Sequence, residues 1–415
     1  MYDELTPDLG AEREALRTET HRFAAEVLRP ASLELDRCSA EEVVSKGSRL
    51  WDVFGAWYGL GNHAAGLPGQ PGGLADPLAQ HLVYEELGWG ACDLAISLGV
   101  SSMPFRTAAA IAQLTGNQAL IDEIVTPFAE DRQGRYIGCW AITEPAHGSD
   151  SLGVGTAEFS DPKTSGNCRA RRDGDDWVIT GQKSAWVSNG TIATHALLFC
   201  TVEPELGMAG GGVLIVPLDR PGVKRGAPLE KHGQRALNQG EIVFDEVRVP
   251  GHYLLAGPDT YSLVHEMTLS GANTGMGVIF TGTARAAFEE ALSYAKVRVQ
   301  GGKPIAEHQM VQGKLFAMFA RVEQARALSR AVMGGQGPTD GSGRLAYAIA
   351  SKVACTEIAF EVASQAVQVY GAMGLAKDVF VEKLLRDARS ALIEDGVNEF
   401  LSLVGARKVI DTYAL

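Results

Sequence analysis

The 415-residue chain lacks several features that define whole classes of protein. Its six cysteines lie far apart and form no CxxC pair, which argues against a zinc knuckle or a disulfide framework and favours a reducing cytoplasm. Acidic residues outnumber basic ones, 50 to 37, and the resulting charge of −13 gives no general attraction to nucleic acid or anionic membranes. No apolar run reaches the length of a bilayer span, and the acidic N-terminus lacks the apolar core of a signal peptide.

Two common nucleotide-binding motifs are also missing. No GxGxxG follows a strand at the start of a helix, and no P-loop is present. Any dinucleotide is therefore expected to bind in a manner other than that of a Rossmann domain, and we expect no metal site.

The first third of the chain has a helical pattern. Residues 11–29 carry apolar side chains at helical spacing, and Pro30 is predicted to end that helix. Residues 81–89 and 118–129 are predicted to be further helices, and the Gly/Pro-rich residues 66–73 form a loop.

A β-type region and a second helical region follow. Four short β-type runs occupy residues 177–180, 196–200, 213–216 and 242–244. With no helical pattern between them, they predict a small antiparallel barrel or sandwich. Long Ala-rich helical patterns then cover residues 283–295, 309–333 and 345–369, with a break at 334–343, as in an antiparallel bundle.

The segment at residues 386–399 (RDARSALIEDGVNE) contains an adjacent pair of acids, Glu394 and Asp395. The pair follows an apolar run and precedes Gly396. A partly desolvated carboxylate has a raised pKa and suits the role of general base. The alternative is a charged helix end or turn with Gly396 as its cap.

Two further segments carry groups suited to a planar or anionic ligand. In residues 143–150 (TEPAHGSD), Thr143 offers a hydroxyl, and Gly148 and Ser149 offer backbone amides. Residues 186–190 (WVSNG) add an aromatic ring, a hydroxyl and a turn. Taken alone, each segment is also consistent with a capped turn.

These segments, with three others, match sequence elements of one family in the same order. The matches are TEPxxGSD at 143–150, W-I-[TS]-N-[AG] at 186–190, FxxVxVP at 244–250, YAxxRxxxGxPIxxxQ at 294–309, QxxGGxG at 368–374 and RDxR at 386–389. The chain therefore resembles the acyl-CoA dehydrogenase family over nearly its whole length. The resemblance implies an α+β, mainly α, fold: an N-terminal helical domain (1–135), a central antiparallel β-barrel (136–252) and a C-terminal four-helix bundle (253–415).

The resemblance also implies non-covalent FAD in a homotetramer or homodimer. The cofactor-binding residues expected within one subunit are Trp140, Ile142, Thr143, Gly148, Ser149, Trp186, Ser188, Val397 and Glu399. A second group lies in segments whose counterparts in the family serve the cofactor of a neighbouring subunit: Arg298, Gln309, Gln368 and Gly371, with Gln300 and Ala372 as further cofactor-binding candidates. Ala372 stands where the family usually has a second glycine.

The acid pair departs from the family pattern, in which the catalytic glutamate follows a tyrosine. Aligned on Gly396, Asp395 takes the position of the glutamate and Glu394 that of the tyrosine. The base is therefore Asp395, or Glu394 if the turn shifts, or absent, because the alternative position in residues 269–273 carries no carboxylate.

The expected substrate contacts depart from the pattern as well. They are Ser149, Ser270 and Asn273, and Asn273 replaces a frequent arginine. The region after the TEP motif is lengthened by residues 153–167.

The activity that the resemblance implies is FAD-dependent α,β-dehydrogenation of an acyl-CoA, with electrons passing to an electron-transfer flavoprotein. The shorter aspartate favours a cyclic or branched acyl group, since an ångström of misplacement can cost on the order of a hundredfold in rate. The alternatives are a flavin oxidase, an elimination enzyme such as a desulfinase, and a non-catalytic partner subunit.

Overall fold

The N-terminal helical region begins with a helix that continues past Pro30, contrary to prediction. The computed structural model describes residues 9–67, 69–70, 76–335 and 344–413, so the acidic N-terminal residues lie outside the described part. Helix α1 (Gly10–Phe23) leads through a π-turn (Ala24–Leu28) into α2 (Arg29–Leu35). The π-turn lengthens one set of hydrogen bonds by a residue, and Pro30 then stands in the first turn of α2, where its missing N–H is tolerated.

The remaining N-terminal helices confirm two predictions and include three, α3, α4 and α6, that the sequence pattern missed. They are α3 (Ala40–Val44), α4 (Arg49–Gly59), α5 (Pro77–Gly90), α6 (Cys92–Thr115), α7 (Gln118–Leu120) and α8 (Thr126–Glu130), with a π-turn (Ile121–Val125) joining the last two. The predictions at 81–89 and 118–129 are confirmed. Helix α6 is buried on most sides, so it shows no apolar stripe to reveal it. Within the predicted loop at 66–73, the described residues are turns and bends, and the others lie outside the described part.

Helices α5 and α6 together form a stretch that by length and composition could cross a membrane, Pro77–Thr115. This corrects the expectation that no apolar stretch has that length. More than half of its most apolar window is buried inside the fold, as in a core helix. The backbone also leaves the helical region at Ala91 (φ −168°), which separates the two helices.

The β region is a single sheet of eight strands. The strands are β1 (Gly138–Ala141), β2 (Arg169–Asp173), β3 (Asp176–Lys183), β4 (His195–Thr201), β5 (Gly211–Pro217), β6 (Val223–Arg225), β7 (Ile242–Pro250) and β8 (Leu254–Ala256). Their order is β6-β7-β3-β2-β4-β5-β8, with β1 also paired to β4. The four predicted runs lie in β3, β4, β5 and β7. Most pairings are antiparallel as predicted, and β1 and β2 pair parallel to β4.

The C-terminal region is a helical bundle. Its helices are α9 (Pro258–Val297), α10 (Gln309–Gly334), α11 (Arg344–Tyr370), α12 (Phe380–Ala391) and α13 (Asn398–Thr412), and a hairpin of β9 (Val299–Gln300) and β10 (Lys303–Pro304) follows α9. The three predicted helices are confirmed, and most of the predicted break between α10 and α11 lies outside the described residues. The 40-residue α9 packs against α11 and against α5 of the N-terminal region, so it joins the two helical regions.

Candidate active site

The acid pair lies in a tight turn between α12 and α13. Asp395 and Gly396 both have a left-handed backbone, with φ of 50° and 103°. The N–H of Asn398 donates to the carbonyl of Leu392 across the turn (3.0 Å). A Cβ at position 396 would lie 2.8 Å from the side chains of Leu152 and Leu401, so glycine is required both by conformation and by space.

Two predicted substrate contacts meet this turn. The hydroxyl of Ser149 accepts the N–H of Val397 (3.1 Å), and the amide of Asn273 donates to the carbonyl of Asp395 (3.3 Å). The turn is therefore held between the TEP segment and helix α9.

Helix α9 presents polar atoms to this region that the described residues do not satisfy. Ser270 and Asn273 are buried, and the Ser270 hydroxyl and the Asn273 carbonyl oxygen have no hydrogen-bond partner among the described residues. Buried polar atoms are nearly always paired in native proteins. Their position three residues apart on one helix face therefore suits a bound ligand that supplies the missing partners.

The two acids differ in what surrounds them. Both keep some solvent contact, but the surrounding protein desolvates them, which raises the pKa of Glu394 to about 7 and that of Asp395 to about 6. The hydrogen bond from Gln234 opposes the rise at Glu394, and the charge of Lys352 opposes it at Asp395.

Glu394 is tied into a buried network, whereas Asp395 is not. The Gln234 amide donates to Glu394 (2.6 Å), and the Gln234 backbone N–H donates to Asp387 (2.6 Å). Asp387 pairs with Lys383, whose ammonium also bonds Asp93 on α6 (2.8 Å). No side chain or backbone group of the described residues hydrogen-bonds the Asp395 carboxylate. That carboxylate is therefore the one free to meet a substrate.

The structure reveals a lysine beside Asp395 that the sequence gave no reason to select. Lys352 on α11 is fully buried, and its ammonium donates to the carbonyl of Gly396 (2.8 Å) and to the side chain of Asn398 (2.7 Å). Burial lowers the pKa of Lys352 to about 8, and the nearby Asp395 charge opposes this. A lone lysine in an Ala-rich helical pattern carries no sequence signal; only the tertiary packing shows its role.

The TEP segment and the WVSNG segment also meet, at the ends of β1 and β3. The hydroxyls of Thr143 and Ser184 are 2.8 Å apart, and the Ser184 N–H donates to the Thr143 carbonyl (2.9 Å). Trp186, two residues further on, is 60% exposed. Trp140 is buried, yet its indole N–H has no partner among the described residues. The exposed ring of Trp186 and the unpaired indole N–H of Trp140 thus belong to the two chain segments that the Thr143–Ser184 contact joins.

A buried ion pair holds the TEP segment in place. The ammonium of Lys183 donates to the carbonyl of Ile142 (2.9 Å) and to Glu144 (2.8 Å), and both side chains are buried. Glu144 also accepts the backbone N–H groups of Asn167 (2.6 Å) and Cys168 (3.1 Å). The sequence motif pointed to Glu144 only as part of a pattern and missed Lys183 altogether.

The WVSNG turn is fixed by neighbouring side chains. The amide of Gln239 donates to the carbonyl of Trp186 (3.1 Å) and the hydroxyl of Ser188 (3.3 Å). Asn189 is buried with a left-handed backbone, and its amide group bonds the carbonyl of Ser97 on α6 (2.9 Å).

One predicted ligand donor is already engaged. The N–H of Gly148, predicted to face an anionic or planar ligand, donates to the carboxylate of Asp150 (2.6 Å). The other predicted residues of this subunit lie around the acid-pair turn: Val397 is partly buried and Glu399 is exposed.

The second group of predicted cofactor residues forms a separate, exposed surface. Its members are Arg298, Gln300, Gln309, Gln368, Gly371 and Ala372, and all are exposed. They lie at the end of α9, on the adjoining hairpin and α10, and at the end of α11. The rings of Tyr294 and Tyr370 stack at 4.0 Å and hold the ends of α9 and α11 together. No described contact joins this surface to the acid-pair turn.

The insertion at residues 153–167 folds over the start of α9. It contains two 3-10 turns, Glu158–Ser160 and Pro162–Thr164. Phe159 is buried and stacks with Tyr261 (ring centroids 6.4 Å apart). The insertion therefore buries apolar surface on the helix that also carries Ser270 and Asn273.

The helical–β–helical fold and the contacts of the TEP segment and α9 with the acid-pair turn define the class of protein. Models of the N-terminal, middle and C-terminal domains of acyl-CoA dehydrogenases match residues 10–131, 139–247 and 264–410. The chain belongs to the acyl-CoA dehydrogenase family, and it is an oxidoreductase of that family.

Among its relatives are a probable acyl-CoA dehydrogenase, YngJ, of Bacillus subtilis and the mitochondrial short-chain specific acyl-CoA dehydrogenase of Bos taurus. The first is 30% identical over 97% of this chain and 99% of the relative, and the second 29% identical over 98% and 92%. The solved structure of butyryl-CoA dehydrogenase from Megasphaera elsdenii superposes with a TM-score of 0.83 at 24% identity, covering 98% of this chain and all of that one. A glutaryl-CoA dehydrogenase from Mycobacterium smegmatis gives 0.81 at 25% identity, with 98% and 96% covered.

FAD is the cofactor of this family, and the residues present fit it. The exposed ring of Trp186 offers a stacking face, and the unpaired indole N–H of Trp140 offers a buried donor. The hydroxyl of Thr143 adds a group that both donates and accepts. Each of these residues is at or within three positions of the Thr143–Ser184 contact along the chain, so a planar, hydrogen-bonding ligand has candidate partners on both segments.

Proposed function

We propose that the protein dehydrogenates an acyl-CoA at the α,β-bond with Asp395 as the base. One observation carries this assignment: the Glu394 carboxylate is bonded by Gln234, while the Asp395 carboxylate accepts no hydrogen bond from any described residue. A base must be free to reach the proton that it removes. The pKa of about 6 at Asp395 keeps it mostly ionised at neutral pH but basic enough to accept a proton.

We assign a separate role in the reaction to each residue of the site. Asp395 removes the α-proton as its carboxylate becomes a carboxylic acid. FAD held by the residues around Thr143 and Trp186 would supply the acceptor for the β-hydrogen, so that loss of the α-proton and the β-hydride would give a 2-enoyl thioester. The backbone N–H of Asp395, which no described hydrogen bond occupies, is available to donate to the thioester oxygen as negative charge develops there. Ser270 and Asn273 supply polar contacts to the CoA portion.

We further propose a cyclic or branched acyl group. The support is geometric, because aspartate is one methylene shorter than the glutamate usual in the family. A compact, substituted α-carbon can be pressed toward the short base, whereas a flexible chain leaves the gap unfilled. The insertion at 153–167 packs against the start of α9, the helix that also carries the proposed substrate contacts.

The remaining proposals concern the electron acceptor, the oligomeric state and the cellular location of the enzyme. An electron-transfer flavoprotein is the proposed acceptor, as is consistent with the family. The exposed surface around Arg298 is proposed to complete the FAD site of a neighbouring subunit in a homotetramer or homodimer. All six cysteines are free thiols, which suits the proposed cytoplasmic location.

An anaerobic screen of the FAD-loaded protein tests the proposed function. Straight-chain, branched and cyclic acyl-CoAs are mixed with the protein, and bleaching of the flavin absorbance is followed. We expect fastest bleaching with a branched or cyclic thioester. Faster bleaching by octanoyl- or palmitoyl-CoA than by any such thioester would contradict the substrate class. Absence of bleaching by the whole panel would contradict the activity, and rapid oxygen consumption without an added acceptor would identify an oxidase instead.

A further inference from the structure

The acid-pair turn combines two unusual features that need support. Asp395 and Gly396 are consecutive residues with positive φ, and a non-glycine residue in that region is destabilised by the clash of its Cβ with the backbone. The turn also carries a carboxylate into partly desolvated surroundings. Something must hold the backbone and favour the charge.

Lys352 meets both needs from one position. Its ammonium bonds the carbonyl of Gly396, the residue directly after the base, and the side chain of Asn398 at the start of α13. Asn398 is itself fixed, because its amide donates to the hydroxyl of Thr356 one turn along α11 (3.1 Å). Lys352 therefore ties the turn and the start of α13 to the middle of a long, buried helix.

The charges around Asp395 leave Lys352 as its main cation. The charged groups that act on Asp395 or on Lys352 are Lys352 and Glu357 on α11, Glu394 and Asp395 on the turn, and Glu399 on α13. Helix α9 and the TEP segment face the turn with the neutral side chains of Asn273 and Ser149. Among the described residues, Lys352 is the cation that acts on Asp395, and its charge favours the ionised carboxylate over the neutral acid.

We propose that Lys352 is a positioning residue for the reaction: its buried ammonium fixes the Asp395–Gly396 turn and supplies the charge that keeps Asp395 ionised and able to take up a proton. This inference rests on the proposed function. It assigns the support of the base to a helix that contributes no residue to the family motifs around the acid pair.

Two substitutions separate the charge from the anchoring. Lys352→Met removes both, and Lys352→Arg keeps the charge. The rate of anaerobic flavin reduction is measured across pH with a thioester that reduces the wild type. We expect the acid limb of the Lys352→Met profile to move about one unit to higher pH, which is a tenfold loss on that limb. Lys352→Arg should hold the limb at its wild-type position.

Amide hydrogen exchange needs no substrate, so it tests the anchoring of the turn even in a variant that has lost activity. Amide hydrogen exchange of the peptide spanning residues 392–399 should be faster in Lys352→Met, with and without FAD. Asn398→Ala, which removes one acceptor but leaves the charge, should speed exchange while leaving the acid limb in place. Lys408→Met is the matched control, since Lys408 bonds Glu266 on α9 (2.6 Å) away from the turn.

The outcomes distinguish this inference from the proposed function. A wild type that no acyl-CoA reduces would overturn the proposed function, while the exchange measurement would still test Lys352. An unshifted acid limb together with unchanged exchange in Lys352→Met would overturn the role of Lys352. If Lys352→Met does not fold, unchanged exchange in Asn398→Ala and a displaced limb in Lys352→Arg would overturn it.

Discussion

At the scale of single residues, the two adjacent acids differ in their hydrogen-bond partners. Glu394 points into the protein and ends a buried network, while Asp395 keeps its carboxylate unpaired. The two adjacent side chains therefore lie in different surroundings, and the turn that separates them has a left-handed backbone at Asp395.

Removing the charge of each acid tests this division. Asp395→Asn should lower the rate of flavin reduction by on the order of 10²–10⁴-fold, the usual contribution of a general base, because the amide cannot accept the proton. FAD content should stay unchanged, since Asp395 bonds nothing that holds the cofactor. Glu394→Gln should reduce the rate far less, measured by stopped flow. A larger effect at Glu394 would show that the turn presents the other acid.

The ionised Asp395 carboxylate should lower the free energy of unfolding by a measurable amount. The folded-state pKa of Asp395 is raised to about 6 from 3.8, so the neutral form is favoured on folding. That contribution is fully present below the unfolded pKa and is lost as pH rises through about 6. Asparagine resembles the neutral form and tolerates positive φ. Relative to wild type, Asp395→Asn should therefore gain stability between about pH 4 and pH 7 and level off above it.

Urea unfolding of the FAD-free protein at several pH values measures this difference. The gain at pH 8 should be at most about 3 kcal/mol, the equivalent of two pKa units, and smaller because the carboxylate keeps some solvent contact. The reverse order of stability at high pH would contradict a desolvated base.

The residues of the site were only partly predictable from sequence. Thr143, Ser149 and Asp395 were selected because they lie in short sequence motifs, in which the spacing between residues is fixed. Lys183, Gln234 and Lys352 are defined by partners 39 or more residues away, and no local pattern marks them. Long-range pairing of this kind is a property of the packed fold.

At the scale of elements, the TEP segment depends on a strand behind it. Lys183 ends β3 and pairs with Glu144 in a buried position, and it also bonds the backbone of Ile142. The segment that follows β1 is therefore shaped by β3, although 39 residues separate the two partners.

Breaking this pair should loosen the proposed flavin site. Lys183→Met leaves Glu144 buried without its cation, and the loss of one partner of a buried ion pair costs about 3–5 kcal/mol. We expect lower thermal stability and weaker FAD retention, measured by differential scanning calorimetry and flavin absorbance. Lys224→Met is the control, because Lys224 pairs with Asp245 on the exposed face of the same sheet and should change stability by less than about 1 kcal/mol. Equal effects of the two variants would contradict the role given to Lys183.

Two predictions of helices from the sequence were wrong, because the surrounding structure outweighed the local sequence signal. Pro30 was expected to end the first helix, but the π-turn at Ala24–Leu28 shifts the hydrogen bonds so that the helix continues. Helix α6 was missed because the spacing of apolar residues identifies helices that have one buried face and one solvent-exposed face, and α6 is buried on most sides. Long, strongly periodic helices such as α10 and α11 were predicted well for the opposite reason.

At the scale of the whole molecule, the exposed surface around Arg298 gives the prediction about assembly. Arg298→Ala and Gln309→Ala should each lower the FAD content of the purified protein while leaving the melting temperature of the FAD-free protein nearly unchanged. The physical reason is that exposed side chains contribute little to the fold of their own chain, within about 0.5 kcal/mol, but can contact a cofactor held by a second copy.

Flavin content per chain and light scattering after size exclusion provide the measurement. Arg22→Ala on α1 is the control, since Arg22 is also an exposed arginine but lies outside this surface. Normal FAD content in both variants, or a wild type that binds FAD as a monomer, would contradict a shared site.

The buried network that ends at Glu394 also has a consequence for how the chain is made. Asp93 on α6 is fully buried, and its cation, Lys383, follows it by 290 positions. At about 5–20 residues per second, a ribosome needs roughly 15–60 s to add that partner. During that interval, closure of the N-terminal helices around Asp93 would bury a carboxylate that accepts hydrogen bonds from Ser32 and Leu94 but has no cation. We therefore expect full stability of the N-terminal helices, and the least need for chaperones, only after Lys383 has been added.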